Sequence, residues 1–315
     1  MAPSITGGTR RLLPLLALSL VMGILLYNAL FSFSYSVGPN YRNVSIDTRV
    51  NITQAKPEVL LVLTNGPWTL NAGTTKTITC NATIRDYNGG DTITNVSAVL
   101  WDNNTVNYSS PDDNNNHYTN ASCTQNVTYS TYYANFTCNF SVWYYANNGT
   151  RWICNVTATD SYTFNESVNS SSSNSNTTTI NALLALNVTS LIDYGNMAVG
   201  DTSGPQTANV TNFGNININV SVRGYGNTSN DGLAFVCQIG NISIANEKYS
   251  LNQSGDFLID YRSLSSAFTQ IPNLTMPQQT NDTQQVINGT YWRLYVPPNP
   301  FGQCNGTIVF QAESS

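Results

Sequence analysis

The chain has 315 residues, a formal charge of −5 and only 9 % charged side chains, where about 25 % is usual. Nothing in it forms a basic patch for nucleic acid, and with His117 as the sole histidine neither a zinc site nor a histidine-based triad is expected. Hydrophobic residues at 41 % suffice for real cores, so uncharged polar side chains must keep the surface in water.

Residues 1–11 are polar and end in Arg10-Arg11. Leu12 to Phe33 is almost wholly apolar and long enough to cross a bilayer as a helix, with the two arginines holding the N-terminus in the cytoplasm. Residues 1–36 are therefore read as a signal anchor or as a signal peptide cut near Ser34-Tyr35-Ser36. The expected membrane partner is bound through residues 12–33. Without the leader the net charge becomes −7.

Residues 37–164 form the first predicted domain. Asn43 to Ile52 alternates Val44, Ile46, Thr48, Val50 and Ile52 and predicts a strand. After Ala55-Lys56-Pro57, the run Glu58 to Leu63 starts a sandwich. Ile78, Cys80, Ala82 and Ile84 then share one strand face, as do Val96, Ala98 and Leu100 in the strand ending at Trp101. Residues 102–122 are rich in Asn and Asp and read as a loop or a long ragged hairpin. Tyr133 to Ala146 predicts an aromatic strand, and Asn147-Asn148-Gly149 predicts a hairpin turn into the strand carrying Trp152, Cys154, Val156 and Ala158. Two facing strands with an inward Cys each, and a Trp strand between them, follow the logic of an immunoglobulin-like core.

Residues 165–181 are a Ser/Asn/Thr tract, predicted to finish a strand and then serve as a linker. Residues 182–315 form the second predicted domain. It alternates Ile216, Ile218, Val220 and Val222 and closes with Thr290 to Val296 and Gly302 to Phe310. The predicted class is all-β: two immunoglobulin-like β-sandwich domains in tandem behind an N-terminal apolar helix.

Six cysteines behind an export signal read as disulfides. Cys80 with Cys154 across the sheets, Cys123 with Cys138 as a local staple, and Cys237 with Cys304 is the expected set, although four cysteines in the first domain allow three pairings. Roughly 25 Asn-x-Ser/Thr acceptors stand in the sequence, nearly three times the number that composition alone gives. The excess predicts a glycan coat, with Asn81, Asn95, Asn126, Asn135, Asn155, Asn187, Asn209, Asn219, Asn241, Asn273, Asn288 and Asn305 as acceptors. The bland alternative is that Asn-Thr alternation is a by-product of polar strand faces.

The run Ile192-Asp193-Tyr194-Gly195, Val199-Gly200 and Val210-Thr211-Asn212-Phe213-Gly214-Asn215 resembles a widespread immunoglobulin-like domain of surface and periplasmic proteins. The whole chain is similar in style to exported archaeal surface proteins that join such modules to a membrane segment. The resemblance is best over 180–225. It implies a sandwich outside the cytoplasm and no catalytic residues.

No cofactor is expected. Calcium is the one ion for which loops gather oxygen donors, at Asp112, Asp113, Asp86 and Asp91, although Asp and Asn are also plain turn formers. With four glutamates and no Gly-x-Ser-x-Gly, an enzyme is not expected. The leading expectation is a structural or adhesive envelope glycoprotein, with other envelope proteins or glycans as partners. One alternative is a carbohydrate- or protein-binding module using Tyr108 and Tyr118 of the long loop. Another is a filament subunit in which the Asn43–Ile52 strand completes a neighbour's sheet.

Overall fold

The structure, a computed structural model, describes residues 45–126, 130–169 and 177–315. The leader and its predicted helix lie outside these residues. Two units are distinguished, 1–53 and 54–315.

In the first unit, residues 45–53 take neither helix nor strand. Ile46, Val50 and Ile52 are 84 %, 78 % and 87 % exposed. The alternation predicts a strand, but a strand also needs an edge that supplies hydrogen bonds. The pattern is present and the paired strand is not.

Among its described residues the second unit is all β apart from two single-turn 3₁₀ segments. Its strands are β1 (Glu58–Thr64), β2 (Thr75–Arg85), β3 (Ile93–Asp102), β4 (His117–Asn120), β5 (Thr124–Gln125), β6 (Tyr133–Trp143), β7 (Gly149–Asp160), β8 (Asn165–Asn169) and β9 (Thr178–Ile180). There follow β10 (Leu186–Val188), β11 (Gln206–Asn212), β12 (Ile218–Tyr225), β13 (Leu233–Ile239), β14 (Asn241–Ser243), β15 (Glu247–Ser250), β16 (Arg262–Ser263), β17 (Thr269–Met276), β18 (Ile287–Leu294), β19 (Phe301–Asn305) and β20 (Thr307–Ser314). All strand-to-strand ladders are antiparallel.

Two sheets make the N-terminal half, in the orders β1-β2-β6-β5 and β4-β3-β7-β8, with β9 also on β7. Period-two burial puts Ile78, Cys80, Ala82 and Ile84 of β2, and Phe136, Cys138, Phe140 and Val142 of β6, into the same core. From the other sheet come Val96, Ala98 and Leu100 of β3 and Trp152, Cys154, Val156 and Ala158 of β7. Cys80–Cys154 joins the sheets, with Cα atoms 6.5 Å apart. Cys123–Cys138, at 4.4 Å, lies beside it because Cys80 and Cys138 face each other in register. The core holds 25 buried apolar residues, with only three half-buried ones around it.

Two local expectations differ from what is observed. Residues 147–149 do not turn a hairpin, because β6 and β7 belong to different sheets. Tyr144, Tyr145 and Ala146 are all buried, which breaks the strand's alternation and lets the chain cross from one sheet to the other. Asn147 holds this corner by donating to Asp102 Oδ2 (2.8 Å), while Trp152 Nε1 donates to its carbonyl (3.1 Å). The tract 165–181 contributes two strands, β8 and β9, both on β7.

The C-terminal half stacks the sheet β10-β11-β18-β15-β16 against β17-β12-β20, with a small sheet β14-β13-β19 at one end. Cys237–Cys304 ties β13 to β19. The main cluster is Ala208, Val210, Ile218, Val220, Val222, Tyr249, Leu264, Ile271, Leu274, Met276 and Trp292.

The two halves are clamped. Fully buried Asn215 donates to the carbonyls of Ala146 (3.0 Å) and Asn181 (3.1 Å), and its Oδ1 accepts the Leu183 N–H (2.6 Å). Gln278 donates to the Tyr145 carbonyl (2.9 Å), the Tyr144 hydroxyl donates to Gln279, and Phe213 packs on Tyr144 with ring centres 5.5 Å apart. These contacts make 54–315 one body where the composition of 165–181 suggests a loose tether.

Candidate functional site

Three groups of sequence candidates can be located: the Asn acceptors, the Asp/Asn loop and its aromatics, and the strand edges.

In Asn-x-Thr the two polar residues are two apart, so on a strand they share a face. In the β2–β6 ladder the acceptors Asn81-Ala82-Thr83 and Asn135-Phe136-Thr137 meet head to tail, Asn81 opposite Thr137 and Thr83 opposite Asn135. Thr137 donates to Asn81 Oδ1 and Thr83 to Asn135 Oδ1, each at 2.9 Å. Asn219 and Thr275 repeat the pairing between β12 and β17, at 2.7 Å. These bonds engage Oδ1 and leave the acceptor nitrogen free of them. Asn95, Asn126, Asn187, Asn209, Asn241, Asn273, Asn288 and Asn305 are exposed, and Asn81, Asn135 and Asn219 are half-buried. Asn155 is 6 % exposed under β8, and its nitrogen is donated to the Ser167 hydroxyl.

Of the four carboxylates suggested for calcium, those of Asp112, Asp113 and Asp86 are engaged by the chain itself. Asp113 Oδ1 accepts the N–H groups of Asn115 (2.9 Å), Asn116 (2.6 Å) and His117 (2.9 Å). Partial burial opposes its ionisation, but the N–H groups of Asn116, Asn115 and His117 and the Asn116 amide outweigh it and hold the pKa below the ordinary value. Asp112 takes His117 Nδ1 (2.7 Å) and the Thr119 hydroxyl (2.9 Å). Asp86 takes the Asn88 N–H (2.8 Å) and the Thr92 hydroxyl (3.0 Å), and Asp91 is exposed. Among the described residues no three His, Cys, Asp or Glu side chains gather as a metal site.

His117 is buried, and Nε2 lies 3.0 Å from the Tyr108 carbonyl. It staples the loop. Tyr118, expected as an exposed binding aromatic, is 5 % exposed, with its hydroxyl donating to the Asn114 carbonyl. Only Tyr108 of that pair reaches solvent, edge-on to buried Trp101. The short strand β4 turns Tyr118 inward, a signal hidden in the sequence by the surrounding Asn and Asp.

The feature sequence reasoning missed is the side of the C-terminal half between its first and last strands. β20 pairs along its length with β12, and β10 pairs with β11; among the described residues the other edge of each has no partner strand. Ile308, Phe310 and Ala312 of β20, and Leu186 and Val188 of β10, pack on the core but stay half-exposed. Phe310 lies edge-on to Trp292 at 5.8 Å. This core has 11 buried apolar residues and 10 half-buried ones, against 25 and three in the other half. The edge strands β10 and β20 approach each other with Cα atoms within 8 Å, without a hydrogen-bonded ladder between them.

A separate cleft of 860 Å³ is lined by Tyr194, Met197, Phe235, Ile242, Leu294 and Phe301, among others. The irregular segment 191–199 walls it. Tyr194 is held there by donating to Glu247 Oε1 (2.9 Å). Burial pushes the Glu247 carboxyl up to about 7, with the Tyr194 hydroxyl pulling the other way.

No family model and no curated protein matches the chain. Among solved structures it is similar to a chain described under the chaperone–tip adhesin complex of CFA/I fimbriae biogenesis, with 10 % identity, a TM-score of 0.28, and 82 % of this chain and 84 % of that one covered. At that score no common fold or role follows.

Proposed function

We propose that this chain is a non-catalytic, N-glycosylated protein of the cell envelope with a structural or adhesive role, held at the membrane through residues 12–33. The observation that carries the reading is the placement of the acceptors: of the twelve predicted, eight are exposed and three half-buried. Three disulfides brace the molecule, as fits an oxidising compartment. Sugars standing off strand faces and edges would block edge-to-edge pairing, the hazard of exposed strands. Intact mass of the protein from native membranes, before and after deglycosylation and reduction, tests this. A mass that retains residues 1–36 and drops by many sugars supports it; a chain without sugar sinks it.

A second reading, an extracellular filament subunit, is favoured by the outer edge of β20, which has no partner strand among the described residues, together with exposed Ile46, Val50 and Ile52. Electron microscopy of purified envelopes tests it, with filaments carrying this chain expected and a monodisperse monomer counting against it. For a binding module of the long loop, Tyr108 is the exposed aromatic of the pair and Tyr118 is buried.

A further inference from the structure

We infer that the outer face of β15, β16 and β18, beside the loop 251–261, is a binding site for an acidic saccharide, a sugar that carries a carboxylate. The inference gives the adhesive role a ligand, and it rests on that reading only for the compartment in which such sugars are met.

In the ladders, Lys248 of β15 stands opposite Arg293 of β18 on one side and Ser263 of β16 on the other. Tyr249, Trp292 and Leu294 are buried in the apolar clusters, so the period of two puts Lys248 and Arg293 together on the outer face. Like charges directly opposite each other destabilise a ladder, and a sequence with 12 basic and 17 acidic residues has carboxylates enough to part them. None does. Among the described residues the ion pairs are Lys56–Glu166, Arg85–Glu58 and His117–Asp112. The carboxylates of the neighbouring loop turn to its own backbone: Asp256 Oδ1 accepts the N–H groups of Leu258 (2.8 Å) and Ile259 (3.2 Å), and Asp260 Oδ2 accepts that of Asp256 (2.7 Å).

One aromatic ring is shared by the two cations. Lys248 Nζ lies 4.5 Å and the Arg293 guanidinium carbon 5.5 Å from the ring centre of Phe257. Each cation makes one hydrogen bond, Lys248 Nζ to the Phe257 carbonyl (3.2 Å) and Arg293 Nε to the Ser203 carbonyl (2.8 Å). Both terminal nitrogens of Arg293 and the other donors of Lys248 are left without an acceptor among the described residues. The two side chains are half-buried and line a cleft of 580 Å³ together with Thr202, Ser263 and Tyr295. Asp256 also lines it, and one carboxylate against two cations leaves the cleft positive in a chain whose net charge is −5. A volume within the usual range of small-molecule sites, about 300–1,000 Å³, holds more than a bare oxyanion. A carboxylate fits the idle donors of Arg293 and Lys248 as a charge-assisted pair, and the hydroxyls of Thr202 and Ser263 suit those of the sugar that carries it.

Isothermal titration of the full chain at low ionic strength tests the site, with trigalacturonate as the probe and its methyl ester, tri-aspartate and inorganic sulfate as comparisons. Trigalacturonate should bind, and bind less as salt rises. Lys248→Gln and Arg293→Gln should each weaken it by at least about ten-fold, while moving the thermal midpoint by no more than about 2 °C. Lys248→Arg keeps the charge and should stay within about three-fold of the wild type. Arg223→Gln should bind as the wild type does, because Arg223 stacks on Phe268 at 4.6 Å and lies outside the cleft. A wild-type chain that ignores trigalacturonate, or takes its methyl ester equally well, would overturn the site. Tri-aspartate or sulfate binding as tightly would overturn the saccharide and leave a bare anion in its place. Neither failure touches the envelope reading, which the intact mass decides.

Discussion

Replacing Asn215 by Ala tests the claim that 54–315 behaves as one body. The side chain has no solvent exposure and satisfies three backbone groups, the carbonyls of Ala146 and Asn181 and the N–H of Leu183. Truncation removes the Asn215 partner from all three, with Ala146 buried and Asn181 and Leu183 half-buried. Each such orphan costs about 1–3 kcal/mol, and water entering the vacated space relieves part of it, so a total loss of about 3–5 kcal/mol is expected. At about 2–4 °C per kcal/mol for a body of this size, the midpoint should fall by at least about 6 °C. The same change should uncouple the halves, because the clamp is the link that makes them unfold together. Calorimetry of the full chain should therefore show one transition in the wild type and two in Asn215→Ala. Exposed Asn209→Ala, the control, should stay within about 0.5 kcal/mol. A single transition in Asn215→Ala, shifted by less than about 1 kcal/mol, would refute the clamp.

Three further outcomes are expected. Glu247 has its pKa raised from 4.5 to about 7 by burial, so the stability it contributes is full below pH 4.5 and is lost as pH rises through 7. The loss is about 3 kcal/mol, and denaturant unfolding at pH 5 and pH 8 should show Glu247→Gln to be flat where the wild type declines. Removing Cys80–Cys154, with a separation of 74 residues, should cost about 4–5 kcal/mol, and removing Cys123–Cys138, with a separation of 15, about 3; urea midpoints of the two double Ala variants check the order. Glycopeptide mapping should find sugar on Asn95 and Asn209 and none on Asn155, and an occupied Asn155 would mean that β8 is not yet on β7 when sugar is transferred.

The alternating faces of β2, β3, β6 and β7 were legible because burial on one side imposes a period of two that composition cannot mimic over so many residues. The corner at 144–149 was not, since Asn-Asn-Gly suits a hairpin and a sheet crossing alike, and only the run of buried Tyr144, Tyr145 and Ala146 decides. Tyr118 misled for a similar reason: four residues of β4 are too few to show a period. Asn212 and Asn215 entered the sequence reading only as part of a motif, yet each donates its amide inside, Asn212 to the carbonyls of Ile216 and Pro277 at 2.9 and 3.0 Å. The outer edge of β20 leaves no trace in sequence, because an edge strand and a central strand with one buried face read the same. Which neighbour is missing is a property of topology.

The head-to-tail meeting of Asn81-x-Thr83 with Asn135-x-Thr137 also bears on how this sheet avoids error while it forms. A strand slipped by one residue turns every side chain to the opposite face, and in β2 that would drive Asn81 inward. An unmodified asparagine could tolerate such a slip for a while. One carrying an oligosaccharide could not, since the sugar has no room between two sheets about 10 Å apart. Sugar added before the strands zip would thus act as a ratchet, erasing the off-by-one pairings from the search and leaving the register in which each acceptor meets its partner threonine.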